Sequence, residues 1–150
     1  TASGAELSAT LIRGGLVVTM DPSLGELRGG DVLVDGGTVR AIAPKLEAPG
    51  AEVVDASGCI VIPGLVNAHM HTWQTALRGV AGNWTILEYF RHVHAGLATQ
   101  FRPEDIRIAT LCGALNQLNC GTTTLVDWCH NNPTPEHTDR ARTKLKEWLG

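Results

Sequence analysis

Two histidines separated by a single residue, His69 and His71, form the pattern in this sequence with the clearest chemical potential. They end the mostly apolar segment 65–71, which is typical of a buried parallel strand. Side chains two residues apart on a strand project from the same face, so both imidazoles point the same way. Neutral imidazole nitrogens suit zinc or ferrous iron. We interpret the pair as two ligands of one divalent ion; the alternative is two polar residues leaving a strand.

A second pair with the same spacing, His92 and His94, provides an internal control. This pair falls within the segment 84–97, whose apolar residues recur at three- and four-residue steps and therefore predict a helix. On a helix, residues two apart diverge by about 200°. We therefore assign His92 and His94 to a solvated helix face and not to a metal site.

The elements that must position the first pair are predicted from periodicity. Short β-branched runs separated by turn residues indicate strands in the first sixty residues, and Gly36-Gly37 indicates a tight hairpin. After Pro63-Gly64 the pattern changes to a strand, two helices and a further strand that ends at Asp127, the order of an α/β parallel sheet. The second helix opens at Pro103 and ends before Gly121. Its predicted apolar face consists of Ile108, Leu111, Leu115 and Leu118.

Length and composition exclude several classes of protein. A complete (β/α)₈ barrel needs at least about 200 residues, and the chain has 150. A net charge of −3, from 12 basic and 15 acidic residues, argues against nucleic-acid and anionic-membrane partners. The sequence shows no targeting or membrane-spanning segment. The four cysteines form no Cys-x-x-Cys pair and are expected to be reduced and buried, which favours a cytoplasmic location.

Several ordered motifs carry a resemblance to a known family. The segment 61–71, with its Pro-Gly and His-x-His, followed by Leu77-Arg78-Gly79, resembles the opening barrel strand of the amidohydrolase superfamily, in its chlorohydrolase and aminohydrolase branch. The segment 121–127 is similar to the second barrel strand of that branch, and the glycine-rich turns of the first forty residues are similar to its N-terminal strands. The resemblance covers residues 10–138. Asn116 departs from it, because many relatives carry glutamate there.

The resemblance implies a metal-activated water that attacks an sp² carbon bearing an amino, amide or halide group. His69 and His71 match the first two metal ligands, for one Zn²⁺ or Fe²⁺ ion. The family takes two further histidines, an aspartate and the general base from later barrel strands, which are not in this chain; the catalytic residues here are therefore unknown. The implied fold is α/β, the N-terminal part of a (β/α)₈ TIM-type barrel preceded by strands of a small β-sandwich domain, and incomplete.

Residues beside the histidine pair have weaker assignments. Trp73 and Gln74 follow the pair and are predicted to line a substrate pocket, with packing on the barrel rim as the alternative. Arg78 is expected to brace the structure. Asp127 is expected to cap a helix or to hydrogen-bond a ligand histidine.

The loop after Asp127 carries three further residues of interest. Trp128 and His130 border the expected pocket, with structural roles as the alternative. Cys129 has no identifiable base and is not expected to be a nucleophile.

The predicted organisation is a β-rich part of a composite domain (1–62), the first two β/α units of a barrel (63–138) and a basic C-terminal tail (139–150). The predicted function is the N-terminal portion of a metal-dependent hydrolase or deaminase acting on a C–N or C–Cl bond of a small substrate. Such a portion is expected to be inactive without the missing barrel segment or a second polypeptide that supplies it. The alternatives are a non-catalytic interaction or assembly module, or a truncated polypeptide, and neither is excluded by sequence.

Overall fold

A computed structural model describes the backbone of residues 8–149 and the side chains of residues 8–142. The chain divides between Pro63 and Gly64 into two compact units, called here the N-terminal unit and the C-terminal unit. Within residues 8–149, no helix combines the length and the apolar character needed to cross a bilayer.

The N-terminal unit is one sheet of five strands. They are β1 (Thr10–Val18), β2 (Glu26–Asp35), β3 (Thr38–Ala43), β4 (Glu52–Asp55) and β5 (Ile60–Val61). The order is β3-β2-β1-β4, and β5 pairs with β1 further along the edge that β4 occupies. The predicted hairpin is confirmed: Gly36 and Gly37 join β2 to β3 with φ angles of 56° and 72°, which only glycine adopts freely.

A buried carboxylate ties this sheet together. The side chain of Asp31 on β2 accepts the backbone N–H groups of Gly14 and Leu46, each at 3.0 Å, and lies 3.6 Å from the guanidinium of Arg13. Asp31 is only 2% exposed. These contacts, with the Leu46 amide the most important, lower the pKa of Asp31 from its ordinary value of 3.8.

Replacing Asp31 with asparagine destabilises the N-terminal unit by about 1–3 kcal/mol, because an amide N–H₂ then faces a buried N–H donor. The lowered pKa gives the carboxylate a stabilising contribution that is complete above about pH 4 and is lost as the pH falls through the pKa of the folded state. Urea unfolding of the wild-type and Asp31→Asn proteins at pH 7 and pH 3, followed through amide signals of β1 and β2, checks both effects. Asp35→Asn, at an exposed ion pair, is the control and should change little. An equal effect at the two positions would contradict the assignment.

The C-terminal unit contains two parallel strands and the helices that connect or follow them. The elements are β6 (Leu65–Met70), a 3₁₀ helix (Thr72–Leu77), α1 (Ile86–Tyr89), a π-helical turn (Phe90–His94), a second 3₁₀ helix (Leu97–Gln100), α2 (Pro103–Asn119), β7 (Thr122–Asp127) and α3 (Pro135–Leu149). β6 and β7 pair in parallel, as the order of elements predicts. The core cluster consists of Trp73, Val93, Ala98, Ile106 and Ala141.

The helix predicted over 84–97 is shorter and less regular than its periodicity indicates. Regular α-helix covers only Ile86–Tyr89, and a π-helical turn follows it. Of the apolar residues that recur at this spacing (Ile86, Leu87, Phe90, Val93 and Leu97), only Val93 is buried, whereas Leu87 is 76% exposed.

The face of α2 that is buried is not the predicted one. Ile108, Leu115 and Leu118 are exposed. The buried residues have the same three- and four-residue spacing but mostly small side chains: Ile106, Ala109, Thr110, Gly113 and Ala114. A Cβ added at Gly113 would lie 2.7 Å from the Thr75 hydroxyl and 3.1 Å from Thr72 Cβ, so the close approach of α2 to this segment requires small residues.

The expectation that the cysteines are buried is corrected. Cys59, Cys112 and Cys120 are exposed and Cys129 is half-buried, so the cysteines are free thiols but not core residues. The last helix, α3, extends from Pro135 to Leu149, and Ala141 contributes to the core cluster. Residue 150 lies outside the described residues.

Candidate functional site

The two histidines of the predicted pair converge at the carboxyl end of β6. Their Nε2 atoms lie 3.1 Å apart, and the ring planes are nearly perpendicular, at 86°. His69 is exposed and His71 is half-buried. The expected same-face arrangement of the two side chains is therefore present.

The hydrogen-bond partners of the pair fix which nitrogen of each ring carries a proton. The Nδ1 of His71 lies 2.8 Å from the backbone carbonyl oxygen of Trp128. A carbonyl can only accept, so Nδ1 of His71 carries a proton, and in the neutral ring the lone pair lies on Nε2. The Nε2–H of His69 consequently donates to Nε2 of His71. His71 thus presents a lone pair in the direction where a metal ligand needs one.

Asn67 supports the pair from within the strand. Its Oδ1 accepts the backbone N–H of His69 at 3.1 Å, and its Nδ2 donates to Oε1 of Gln117 on α2 at 2.9 Å. The same Gln117 oxygen accepts from the hydroxyl of Thr122 at the start of β7 at 3.2 Å. One amide of α2 therefore links the two strands.

Aromatic and imidazole rings surround the pair. The ring centroid of Trp128 is 5.9 Å from that of His69 and 5.7 Å from that of His71, and Trp128 is exposed. The ring of His130 lies 4.3 Å from that of His71. Burial, followed by the neighbouring His71 and His94, lowers the pKa of His130, which favours a neutral ring beside the pair.

Trp73, which was predicted to line a substrate pocket, is fully buried in the core cluster. Its Nε1–H donates to Nδ1 of His130 at 3.1 Å, and its ring packs edge-on against Phe101. The alternative interpretation, a packing role, therefore describes Trp73 better.

Gln74 lines a cavity that the histidine pair shares. The cavity has a volume of about 910 Å³, and Arg78, Cys112 and Asn116 also line it. The Nε2 of Gln74 donates to the hydroxyl of Tyr89 at 2.6 Å, which orients this amide. The arrangement is compatible with a role in substrate binding, which stays a prediction.

His94 was assigned to a solvated face, and that assignment is wrong. Its Nε2 lies 2.9 Å from the Tyr89 hydroxyl, and its ring is 4.7 Å from that of His130. His92 is exposed, so the two rings do diverge as expected, but the π-helical turn carries His94 toward the core. No sequence signal identified this inward position, because the spacing of the turn departs from that of an α-helix.

Asp127 ends β7 and binds Thr72, the residue that follows His71. Its Oδ1 accepts the backbone N–H of Thr72 at 3.0 Å, and its Oδ2 accepts the Thr72 hydroxyl at 2.7 Å. The expectation of a capping role is supported, since Thr72 begins a 3₁₀ helix. The partner residue, 55 positions earlier, was not identified from sequence.

The thiol of Cys129 is a poor nucleophile. Burial, followed by the negative charge of Asp127, raises its pKa. Since only a thiolate attacks readily, the pKa agrees with the expectation that Cys129 is not catalytic.

The histidine pair does not form a complete metal site by itself. Among the residues that the structure describes, no group of three or more His, Cys, Asp or Glu side chains is arranged to hold a metal ion. The two imidazoles are nonetheless compatible with part of a metal site. Nitrogens bound to a tetrahedral zinc ion at about 2.0–2.1 Å stand about 3.3–3.4 Å apart, close to the 3.1 Å found here.

Two parallel strands connected by helices, with paired imidazoles at the carboxyl end of the first strand, define an α/β protein whose candidate site is of the metal-ligating kind. No family model matches the chain. It is 34% identical over 118 residues to 5′-deoxyadenosine deaminase of Methanosarcina mazei, an alignment that covers 78% of this chain and 27% of that protein.

Solved structures agree with this similarity. A variant of atrazine chlorohydrolase from Arthrobacter aurescens, complexed with zinc and atraton, is 26% identical with a TM-score of 0.81, over 93% of this chain and 34% of that one. A zinc-bound adenosine deaminase from Xanthomonas campestris is 28% identical with a TM-score of 0.70, over 93% and 32%.

The chain belongs to the amidohydrolase superfamily, in the branch of the deaminases and triazine chlorohydrolases. The resemblance noted in the sequence is confirmed. The chain spans about a quarter of the length of the curated relatives it matches.

Proposed function

We propose that this chain supplies the first two metal ligands, His69 and His71, of a metal-dependent hydrolase or deaminase. The observation that carries the proposal is the convergence of the two Nε2 atoms at 3.1 Å, together with the Trp128 carbonyl that holds the proton of His71 on Nδ1. A ring fixed in this tautomer is ready to coordinate through Nε2.

The ion that fits these ligands is Zn²⁺ or Fe²⁺, because both accept imidazole nitrogen. Zinc is favoured, since related solved structures contain it. Such an ion, when bound, lowers the pKa of a coordinated water to about 7 and so provides hydroxide at neutral pH. The residues of this chain hold and orient the two imidazoles, and Gln74 on the wall of the shared cavity is positioned to contact a substrate.

The proposed substrate is a small heterocyclic or amide-type molecule with a C–N or C–Cl bond to be hydrolysed. The names of the relatives support this class, since they include deaminases of adenosine type and a chlorohydrolase. The exposed ring of Trp128, within 6 Å of both imidazoles, offers a surface for a planar ring.

Activity requires groups beyond this chain. Two imidazoles do not complete a zinc site, and the proposed general base lies in the remaining part of the barrel, either in a longer product or in a second polypeptide. We place the protein in the cytoplasm, because the chain has free, exposed thiols.

The test is to isolate the protein from its native host with whatever segment or polypeptide accompanies it. Zinc content is then measured, together with ammonia release from 5′-deoxyadenosine and chloride release from a chlorinated triazine. We expect close to one metal ion per complex and release of one of the two products, with none from the 150-residue chain alone. Turnover that survives metal removal would overturn the metal-dependent mechanism. A native form that neither binds zinc nor turns over either compound would favour a non-catalytic module.

A further inference from the structure

Three consecutive residues, the last of β6 and the two that follow it (Met70, His71 and Thr72), form hydrogen bonds with the end of β7 and the residue after it. The Trp128 N–H donates to the Met70 carbonyl at 2.8 Å, and His71 Nδ1 donates to the Trp128 carbonyl at 2.8 Å. Thr72 follows, with its N–H and its hydroxyl both bound by Asp127, at 3.0 and 2.7 Å. The backbone on both sides of His71 is therefore held by two consecutive residues, Asp127 at the end of β7 and Trp128 after it.

The Thr72 hydroxyl is the centre of a small buried network. Thr72 and Thr110 are 0% and 1% exposed, and their hydroxyl oxygens lie 3.3 Å apart. A hydroxyl has one proton to donate, and the shorter bond to the carboxylate of Asp127 takes that of Thr72. Thr110 is consequently the donor to Thr72, so α2 contributes to the same network.

We propose that Asp127 and Thr72 are positioning residues of the metal site, and that they act through His71. The inference rests on the proposed function. Asp127 anchors the residue after His71 with its side chain, and its own peptide leads directly into Trp128, whose carbonyl accepts the Nδ1–H of His71. The Asp127 side chain therefore holds the residue that follows His71, and the residue next to Asp127 supplies the carbonyl that selects the tautomer of His71.

The carboxylate of Asp127 holds Thr72 through two hydrogen bonds, one from the N–H and one from the hydroxyl. A charged acceptor that binds two donors of one residue is stronger than a neutral acceptor, and the site is partly shielded from water. Loss of either contact frees the segment after β6 to rotate, and His71 then loses the alignment of its Nδ1–H with the Trp128 carbonyl. Solvent-exposed imidazole favours the opposite tautomer, with the proton on Nε2, and this proton must move to Nδ1 before Nε2 can bind a metal.

The test compares Thr72→Val and Asp127→Ala with Thr72→Ser, which keeps the hydroxyl. The first readout is the tautomer of His71 in the metal-free chain, measured by ¹⁵N NMR of the imidazole nitrogens. We expect Nδ1–H in the wild type and in Thr72→Ser, and a shift toward Nε2–H in the other two. The second readout is zinc affinity by calorimetry, with an expected loss of about 10–100-fold in Thr72→Val and Asp127→Ala.

Asp31→Asn is the matched control, because it removes a buried carboxylate contact in the other unit. It should leave the His71 tautomer and the zinc affinity unchanged. If Thr72→Val does not fold, Asp127→Asn replaces it: the amide keeps an acceptor for the Thr72 N–H but not for the hydroxyl, so a smaller shift is expected.

The results of these experiments distinguish the positioning role of Asp127 and Thr72 from the proposed metal site itself. Folded Thr72→Val and Asp127→Ala proteins that keep His71 in the Nδ1–H form would overturn the positioning role. A tautomer shift in those variants, together with a native complex that binds no zinc, would support the positioning role and count against the metal site.

Discussion

Replacing His69 with alanine lowers the zinc affinity of the chain by about 100-fold or more. The loss of a partner that only orients a ligand costs about 10–100-fold, so the loss of a ligand itself should cost at least as much. The Nε2 atoms of His69 and His71 are 3.1 Å apart, which allows both to bind one ion. Calorimetric titration with zinc measures the change, and His71→Ala should behave in the same way.

His92→Ala is the matched control for this prediction. It removes a histidine of the other His-x-His pair, where the two rings diverge, and should leave the affinity unchanged. Titration with Co²⁺ adds a second control, because binding to the exposed thiols would appear as sulfur charge-transfer absorption. Tight stoichiometric binding that survives His69→Ala would overturn the assignment of the ligand.

Replacing Gly64 with alanine separates the two strands of the C-terminal unit. The added Cβ would lie 2.6 Å from Thr123 Cβ on the neighbouring strand and closer still to the Thr123 hydroxyl. Rotation of the Thr123 side chain cannot relieve a contact with Cβ, so the backbone must move. We expect a destabilisation of about 3 kcal/mol, the upper part of the usual range for overpacking. Urea unfolding followed by tryptophan fluorescence measures it.

A double variant tests the cause of that loss. In Gly64→Ala/Thr123→Gly the clashing Cβ atoms no longer meet, so the double variant should be more stable than Gly64→Ala alone despite the added glycine. Gly82→Ala is the control for the substitution itself, since the Cβ would only touch the Gly79 carbonyl oxygen at an ordinary 3.7 Å. Equal stabilities of Gly64→Ala and Gly82→Ala would contradict the steric explanation.

Features that depend on local spacing were predictable from sequence. The alternation along β6 places His69 and His71 on one face, and the glycine pair at 36–37 gives the hairpin between β2 and β3. Both follow from backbone geometry within a few residues, which the sequence specifies directly.

Features that depend on distant partners were not predictable. The acceptor that fixes His71 is a backbone carbonyl 57 residues away, and a carbonyl is present at every position. α2 buries small side chains because the 3₁₀ helix that contains Thr72 and Thr75 lies close to it. Side-chain size and hydrophobicity alone would predict that the face with Ile108 and Leu115 is the buried one. The inward turn of His94 depends on a π-helical turn, which has no strong sequence signature.

The hydrogen bond between the two imidazoles has a consequence for metal uptake. The proton on His69 Nε2 holds the rings at almost the separation that a tetrahedral ion would impose. The site is therefore preorganised, and the conformational entropy of bringing the rings together has already been lost on folding. The proton on His69 Nε2 must move to Nδ1 before that nitrogen can bind an ion, so metal uptake by this pair requires a change of tautomer at His69.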